Sequence, residues 1–438
     1  MSRTLFGTDG IRGVAGVPPL DPATVFAFGA ALGEWVAHHA SRRIIIGMDT
    51  RESGPSLASI VAAGCAESGV ECCFAGVTTT PGVAHLARTG DFAAGLMISA
   101  SHNPFQDNGL KVFDHSGFKL PDSEERLLEQ RIFALLARNA DPRGLPLVAD
   151  PAYDRHYAAS LAATFSGSLS GARLVLDCAN GAASHIAPEL FRLLGAGVIA
   201  TSCSPDGRNI NLNCGALHVE ALRQRVLAED ASCGAAFDGD ADRCILVSPS
   251  GRIIDGDHCL YIAARKLRPS AVVATVMSNL GLERALAALG IPLVRTAVGD
   301  RYVIEEMLRS DLPLGGEQSG HVIFRQYSTT GDGLLTALRV LEIATLSGLD
   351  LDRLAEGFTV YPQKLVNVRC ATRRPLEDLP AVQAEIRAAE SEFGNSGRVL
   401  VRFSGTEPLA RVMVEGPTQD RVDARAHAIA AAIQAALA

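Results

Sequence analysis

The chain has 438 residues, a formal net charge of -8 from 48 acidic and 40 basic side chains, and is 47% hydrophobic and 20% charged. At about 150 residues per domain this length allows roughly two to four domains, and the composition excludes a disordered or collagen-like chain. The acidic balance argues against a nonspecific nucleic-acid binder, no apolar run approaches the roughly 20 residues that span a bilayer, and MSRTLFGTDG lacks the apolar stretch of a secretory signal, so a cytoplasmic address is expected.

Along the chain, short apolar runs lead through polar or glycine-rich turns into amphipathic stretches. Strands are predicted over 43–48, 174–177 and 272–276, followed by helices over 56–68, 187–194 and 280–289. Such alternation predicts a parallel α/β architecture. Polar, proline-bearing breaks at 141–151, 248–257 and 358–365 divide the chain into segments 1–150, 151–250, 251–362 and 363–438. The first three are expected to be doubly wound α/β domains. The last predicts a strand, a helix over 375–390, strands over 398–403 and 410–415, and a helix over 419–437, an α+β arrangement. In each of the first three segments a buried strand runs into a polar loop: GLMISASHNP, CGAAFDGDADR and LPLGGEQSGH. Loops beyond the carboxyl ends of strands are where open α/β sheets bind ligands.

The sharpest motif is FDGDADR, in which Asp238, Asp240 and Asp242 alternate. Three carboxylates this close repel unless a cation sits among them, and oxygen donors suit Mg2+ or Ca2+. An EF-hand needs glycine sixth and glutamate twelfth, where this chain has Arg243 and Pro249. The alternative, a solvated acidic turn, explains neither Arg243 nor the apolar run 233–237 that delivers the loop.

In ISASHNPFQDNGLKVF an apolar run ends at Ser101 and His102, with Lys111 nearby. Ser101 suits a nucleophile or phosphoryl carrier, although spacing alone favours a turn serine; no G-x-S-x-G elbow exists in the chain. RFSGTEPLAR places Ser404, Gly405 and Thr406 between Arg402 and Arg411, which suits a phosphate cradle of N–H groups and guanidinium forks. GGEQSGH alternates Glu317, Ser319 and His321, which a strand-like segment would present on one side, in a chemistry suited to sugar hydroxyls or an amine. FGTDGIRG offers Arg12 in a glycine-rich loop. The dinucleotide-like GAGVIA at 195–200 follows a helix and enters a strand, the wrong order for that function. The ten cysteines contain no C-x-x-C spacing and read as reduced, mostly buried core residues.

Taken in order, FGTDGIRG, ISASHNPF-x-DNGLK, DGDADR, GGEQSGH with TTGDG after it, and RFSGTEPLARVMVEG resemble the α-D-phosphohexomutases over nearly the full chain, most of all the branch acting on glucosamine phosphates. The resemblance implies three related doubly wound α/β domains plus a smaller α+β C-terminal domain around a central cleft. It implies interconversion of glucosamine 6-phosphate and glucosamine 1-phosphate through a bisphosphate, toward UDP-N-acetylglucosamine and peptidoglycan precursors. Ser101 then matches the phosphoserine, Asp238, Asp240 and Asp242 the Mg2+ ligands with Ser101 completing the protein's share, and Arg12 and Lys111 groups assisting proton transfer, with Arg243 and His102 lining the same centre. Glu317 and Ser319 match the sugar-hydroxyl loop, with His321 behind it, and Arg402, Ser404, Gly405, Thr406 and Arg411 match the loop for the nontransferring phosphate. The implied partners are the phosphosugar and its bisphosphate, with no nucleic acid or membrane, and homodimerisation is family precedent.

Departures from the family pattern are small: Ala241 stands where glycine is common, Cys244 where an aliphatic residue is usual, and Phe403 where lysine or proline is frequent. Cys244, next to Arg243, is a candidate for coupling oxidation to activity, against the simpler expectation of a buried thiol. The rival functions are a mutase of the same family acting on glucose or mannose phosphates, a catalytically silent sugar-phosphate sensor, which should lack Ser101 or an aspartate, and a phosphatase with Asp238 as nucleophile.

Overall fold

Ile44, Ile45 and Ile46 leave the strand Arg43–Met48 apolar on both faces, as suits the middle of a helix-covered sheet. Ile44 and Ile46 join the core beneath the helices Pro22–Val36 and Gly54–Ala66, while Ile45 joins that beneath Thr80–Thr89. The computed structural model describes residues 5–7, 9–137, 142–372, 374–403 and 409–437. They form two units, one of Met1–Met277 with Leu293–Glu356 and one of Ser278–Pro292 with Gly357–Ala438.

The first unit holds three sheets. The six-stranded sheet runs Phe6–Gly7, Gly10–Val14, Asp107–Asp114, Ala94–Ile98, Arg43–Met48, Glu71–Val77. A five-stranded sheet runs Ile253–Ile254, Cys244–Val247, Cys233–Phe237, Arg173–Asp177, Gly197–Thr201, and a four-stranded one Leu293–Thr296, Val272–Thr275, Leu314–Gly316, Val322–Phe324. Each has three parallel strands at one end of its order, but the expected parallel sheets prove mixed. Ala94–Ile98 pairs antiparallel with Asp107–Asp114, Cys233–Phe237 with Cys244–Val247, and Leu314–Gly316 with Val322–Phe324. The reason is length, because the connections are too short for the crossover that a parallel pair needs. The three polar loops are the turns of these pairs.

Helix starts follow the capping residues. Thr79 accepts from Gly82 N–H and Asp332 from Leu335 N–H, opening Thr80–Thr89 and Gly333–Ser347. The helix expected over 187–194 spans Ala183–Leu193 and holds Pro188 inside it. In the second unit a three-stranded antiparallel sheet, Gln363–Arg369, Leu409–Glu415 and Arg398–Phe403, packs with helices Pro380–Phe393 and Gln419–Leu437 around Val382, Val412, Val422 and Ile429. The helix expected from 375 instead begins at Pro380, after a short 3-10 turn at Leu376–Asp378. Buried Glu415 pairs with Arg398 at 2.6 Å and accepts from Leu280 N–H at 3.1 Å, so Leu280–Ala288 belongs to this unit. Among the described residues no helix is long and apolar enough to cross a membrane.

Candidate active site

Ser101 is buried in the turn after Ala94–Ile98, with φ 52°. Its Oγ donates to Asp238 Oδ2 at 2.5 Å and lies 3.3 Å from His102 Nδ1. Asp238, Asp240 and Asp242 occupy the turn between Cys233–Phe237 and Cys244–Val247, all buried, with ligand atoms within 4.8 Å of one another. Arg243 N–H donates to Asp238 Oδ1 at 3.1 Å, and Asp240 Oδ2 accepts from Thr80 Oγ1 at 2.5 Å and Lys111 Nζ at 2.8 Å. The turn contains Ala241 at φ 56°, the left-handed region where a glycine is cheapest, so the departure from the family pattern carries backbone strain.

Two buried oxygens in this cluster, Asp240 Oδ1 and Asp242 Oδ1, have no hydrogen-bond partner among the described residues. Burial, then the charges of Asp242 and Asp240, push the Asp238 carboxyl well above the usual range. Burial works against charge on Asp242 as well, but His321, Lys111 and Arg243 outweigh it and hold its carboxyl low. Such oxygens and crowded carboxylates in a buried cluster fit a hard divalent cation.

A cluster of opposite charge lies beside the aspartates. Lys111 Nζ is 3.1 Å from Asp9 Oδ2, while Arg12 and Lys119 also pair with Asp9, and Lys119 reaches Asp300. Burial opposes the charge on Lys111, yet Asp240 and Asp9 raise its pKa and keep it an ammonium. Burial likewise opposes the charge on Arg12, and Asp9 and Asp240 prevail. His102 is held neutral: burial, then Arg243 and Arg12, bring it down to about 4.

The motif GGEQSGH is not a strand presenting one face. Leu314–Gly316 ends before Glu317, residues 317–320 turn, and Glu317 N–H returns to His321 O at 2.8 Å. Glu317 Oε1 accepts from Gly299 N–H at 3.1 Å, Ser319 is exposed at the tip, and His321 is buried inside. The turn breaks the alternation because five residues must reverse the chain between paired strands. His321 Nδ1 lies 3.6 Å from Asp242 Oδ2, while Nε2 accepts from Gly331 N–H at 3.0 Å. That bond leaves Nδ1–H to face Asp242, and although burial opposes charge on the ring, Asp242 raises its pKa, so His321 braces the aspartate loop from behind. The loop rests on Gly256, whose N–H donates to Gln318 O at 3.1 Å and where a β-carbon would lie 2.0 Å from Glu317 O.

The first unit thus gathers Ser101, His102, Lys111, the three aspartates, Arg12 and Arg243, with His321 joined to Asp242. In the second unit Arg402 and Arg411 are direct cross-strand partners, and burial, then Arg411, lowers the pKa of Arg402. Like charges placed opposite each other favour an anion between them. Ser404, Gly405 and Thr406 lie outside the described residues. Cys244 is fully enclosed, and burial pushes its thiol well above the usual range, which makes it a packing residue rather than a redox sensor. The sequence motifs did not single out Asp9, Thr80 or Lys119. Asp9 stands in FGTDGIRG beside Arg12 and was the one member with a local signal; Thr80 and Lys119 meet their partners only across the fold.

Most of the chain divides among matches to the phosphoglucomutase/phosphomannomutase family: alpha/beta/alpha domain I over 3–139, domain II over 148–251, domain III over 255–361 and the C-terminal domain over 365–432. Phosphoglucosamine mutase of Solibacter usitatus (strain Ellin6076) is 58% identical over 441 residues, covering 99% of each chain. Its namesake from Escherichia coli O139:H28 (strain E24377A / ETEC) is 48% identical over 448 residues, again covering 99% of each. Among solved structures, a phosphoglucomutase/phosphomannomutase family protein from Burkholderia thailandensis superposes with TM-score 0.82 at 24% identity, covering 99% of this chain and 97% of that one. Aspergillus fumigatus N-acetylphosphoglucosamine mutase, in complex with GlcNAc-6P and magnesium, gives 0.66 at 20% identity, covering 100% and 96%. With every domain matched in order and relatives of this identity along its whole length, the chain belongs to the phosphoglucomutase/phosphomannomutase family.

Proposed function

We propose that the protein interconverts glucosamine 6-phosphate and glucosamine 1-phosphate, with Ser101 as phosphoryl carrier and glucosamine 1,6-bisphosphate as intermediate. Ser101 Oγ lies 2.5 Å from a carboxylate of the buried aspartate triad, which puts the carrier hydroxyl at the cation site. Whole-chain similarity to relatives named phosphoglucosamine mutase supports the amino sugar as substrate. The same proposal takes Mg2+ as the ion, the cytoplasm as the location and a homodimer as the assembly.

Phosphoryl transfer asks mainly for positioning and charge neutralisation. Asp238, Asp240, Asp242 and Ser101 would hold the ion, which when bound supplies positive charge to the phosphoryl oxygens. Arg12, Lys111 and Arg243 bring further positive charge to the same place. Lys111, held as an ammonium by Asp240 and Asp9, supplies fixed positive charge beside the reacting oxygen, and with Arg12 it is assigned to assist proton transfer there. Glu317 and Ser319 are assigned to the sugar hydroxyls, and Arg402, Arg411 and the loop 404–406 to the phosphate that is not transferred. Comparison of kcat/KM on glucosamine 6-phosphate and glucose 1-phosphate tests the substrate: the amino sugar should be preferred, and a larger value for glucose phosphate overturns the assignment.

A further inference from the structure

The turn 101–104 carries Ser101 in the left-handed region, which a residue with a β-carbon avoids unless its surroundings hold it there. Residues 101–104 belong to no strand or helix. The turn's carbonyls are held by side chains instead. Arg51, 1% exposed, donates from Nη2 to Ser101 O at 2.9 Å and Asn103 O at 2.8 Å, and from Nη1 to Pro104 O. Asp49 aims that guanidinium, accepting Arg51 Nε at Oδ2 at 2.9 Å. The same oxygen accepts Ser99 Oγ at 2.6 Å, and Ser99 Oγ accepts Ser101 N–H at 2.9 Å, which closes the ring.

A second donor arrives from the neighbouring segment. Asn211 Nδ2 donates to Ser101 O at 2.9 Å and to Asn103 O at 3.1 Å, the two carbonyls that Arg51 Nη2 already holds. Each carbonyl oxygen thus has both acceptor sites filled. Asn211 sits at φ 60°, anchored by its N–H to Ala179 O at 2.8 Å. The aspartate loop closes against this junction at Gly239, where a β-carbon would meet Ser101 O at 2.5 Å and Asn211 Nδ2 at 2.9 Å.

We propose that Arg51 and Asn211 are positioning residues for the phosphoryl-carrying hydroxyl. They fix the carbonyls of Ser101 and Asn103 so that Oγ faces the aspartate triad, and Asn211 ties that aim to the segment bearing the triad. The proposal rests on Ser101 being the carrier. The two side chains contribute unequally: Arg51 is buried and pairs three carbonyls, whereas Asn211 supplies the second bond to two of them. Removal of Asn211 therefore leaves the turn tethered but loosened. Aspartate at the same position faces two carbonyl oxygens with an acceptor and drives them apart.

The test uses the full chain with Asn211→Gly, which removes the side chain without penalising the positive φ, Asn211→Asp, and Arg51→Lys. Phosphoserine occupancy by intact mass, melting temperature, and kcat and KM on glucosamine 6-phosphate are measured for each. Misplacement of a reacting group by about 1 Å costs on the order of 100-fold in rate, so kcat per phosphorylated site should fall about ten-fold in Asn211→Gly and about 100-fold in Asn211→Asp. KM should stay within about two-fold of wild type, since neither variant touches the sugar. Arg51→Lys should also lose kcat, and if it fails to fold the Asn211 pair decides. Wild-type kcat per phosphorylated site in Asn211→Asp, or losses accounted for by the unfolded fraction, overturns the proposal. A fully active Ser101→Ala would instead overturn the carrier assignment on which it stands.

Discussion

Lys111 buries its ammonium 2.8 Å from Asp240 Oδ2, with both side chains fully enclosed. Removing one member of such a pair strands the other charge, at a typical cost of about 3–5 kcal/mol. Lys111→Met should therefore destabilise the protein by about 3 kcal/mol in urea unfolding with chelator present. Added Mg2+ should restore part of this loss by supplying charge to Asp240, while activity stays at least about 100-fold down. Equal stability of variant and wild type in chelator would show that the pair contributes nothing.

The sugar loop depends on a missing side chain. A β-carbon at Gly256 would stand 2.0 Å from Glu317 O and 2.9 Å from Gly320 N, both backbone atoms that cannot swing aside. Gly256→Ala should displace Glu317 and raise KM for the sugar phosphate by about ten-fold, equivalent to about 1.4 kcal/mol of binding. Phosphorylation of Ser101 should be unaffected. An unchanged KM contradicts the assignment of Glu317 to the sugar.

Ala241 pays for its φ of 56°. Glycine adopts that conformation freely but also gains freedom in the unfolded chain, which offsets part of the benefit. Ala241→Gly should raise stability by about 0.5–1 kcal/mol with catalytic efficiency retained. A lower melting temperature in the variant goes against this account of the strain.

Much of this architecture is legible in the sequence because it is written locally. The runs Ala94–Ile98 and Cys233–Phe237 announce buried strands, and the polar loops that follow them contain Ser101 and the aspartate triad. Connection length also separates hairpins from crossovers, a signal that the α/β alternation masked between Cys233–Phe237 and Cys244–Val247. The contacts that tune the site are not local. Thr80 and Lys111 meet on Asp240, and Asp9 gathers Arg12, Lys111 and Lys119, through pairings that exist only after the sheets assemble. Alternation also suggested a one-sided face for Glu317, Ser319 and His321, whereas the turn sends Ser319 outward and His321 inward.

Stability should depend on pH through His85, whose ring lies 5.4 Å from that of His156. Burial, then Arg88 and His156, lower its pKa from 6.5 to about 4. Between those values the unfolded chain takes up a proton that the folded chain refuses. This contribution is present above pH 6.5 and is lost as pH falls toward 4. Urea unfolding at pH 7.5 and pH 5 should show wild type losing more stability than His85→Gln; equal losses contradict the assignment.

Peptide mapping of the phosphorylated protein locates the phosphoryl group that Ser101 is proposed to carry. An acid-stable phosphoryl is expected on Ser101, lost together with activity in Ser101→Ala. A hydroxylamine-sensitive phosphoryl on Asp238, or wild-type turnover by Ser101→Ala, would contradict it.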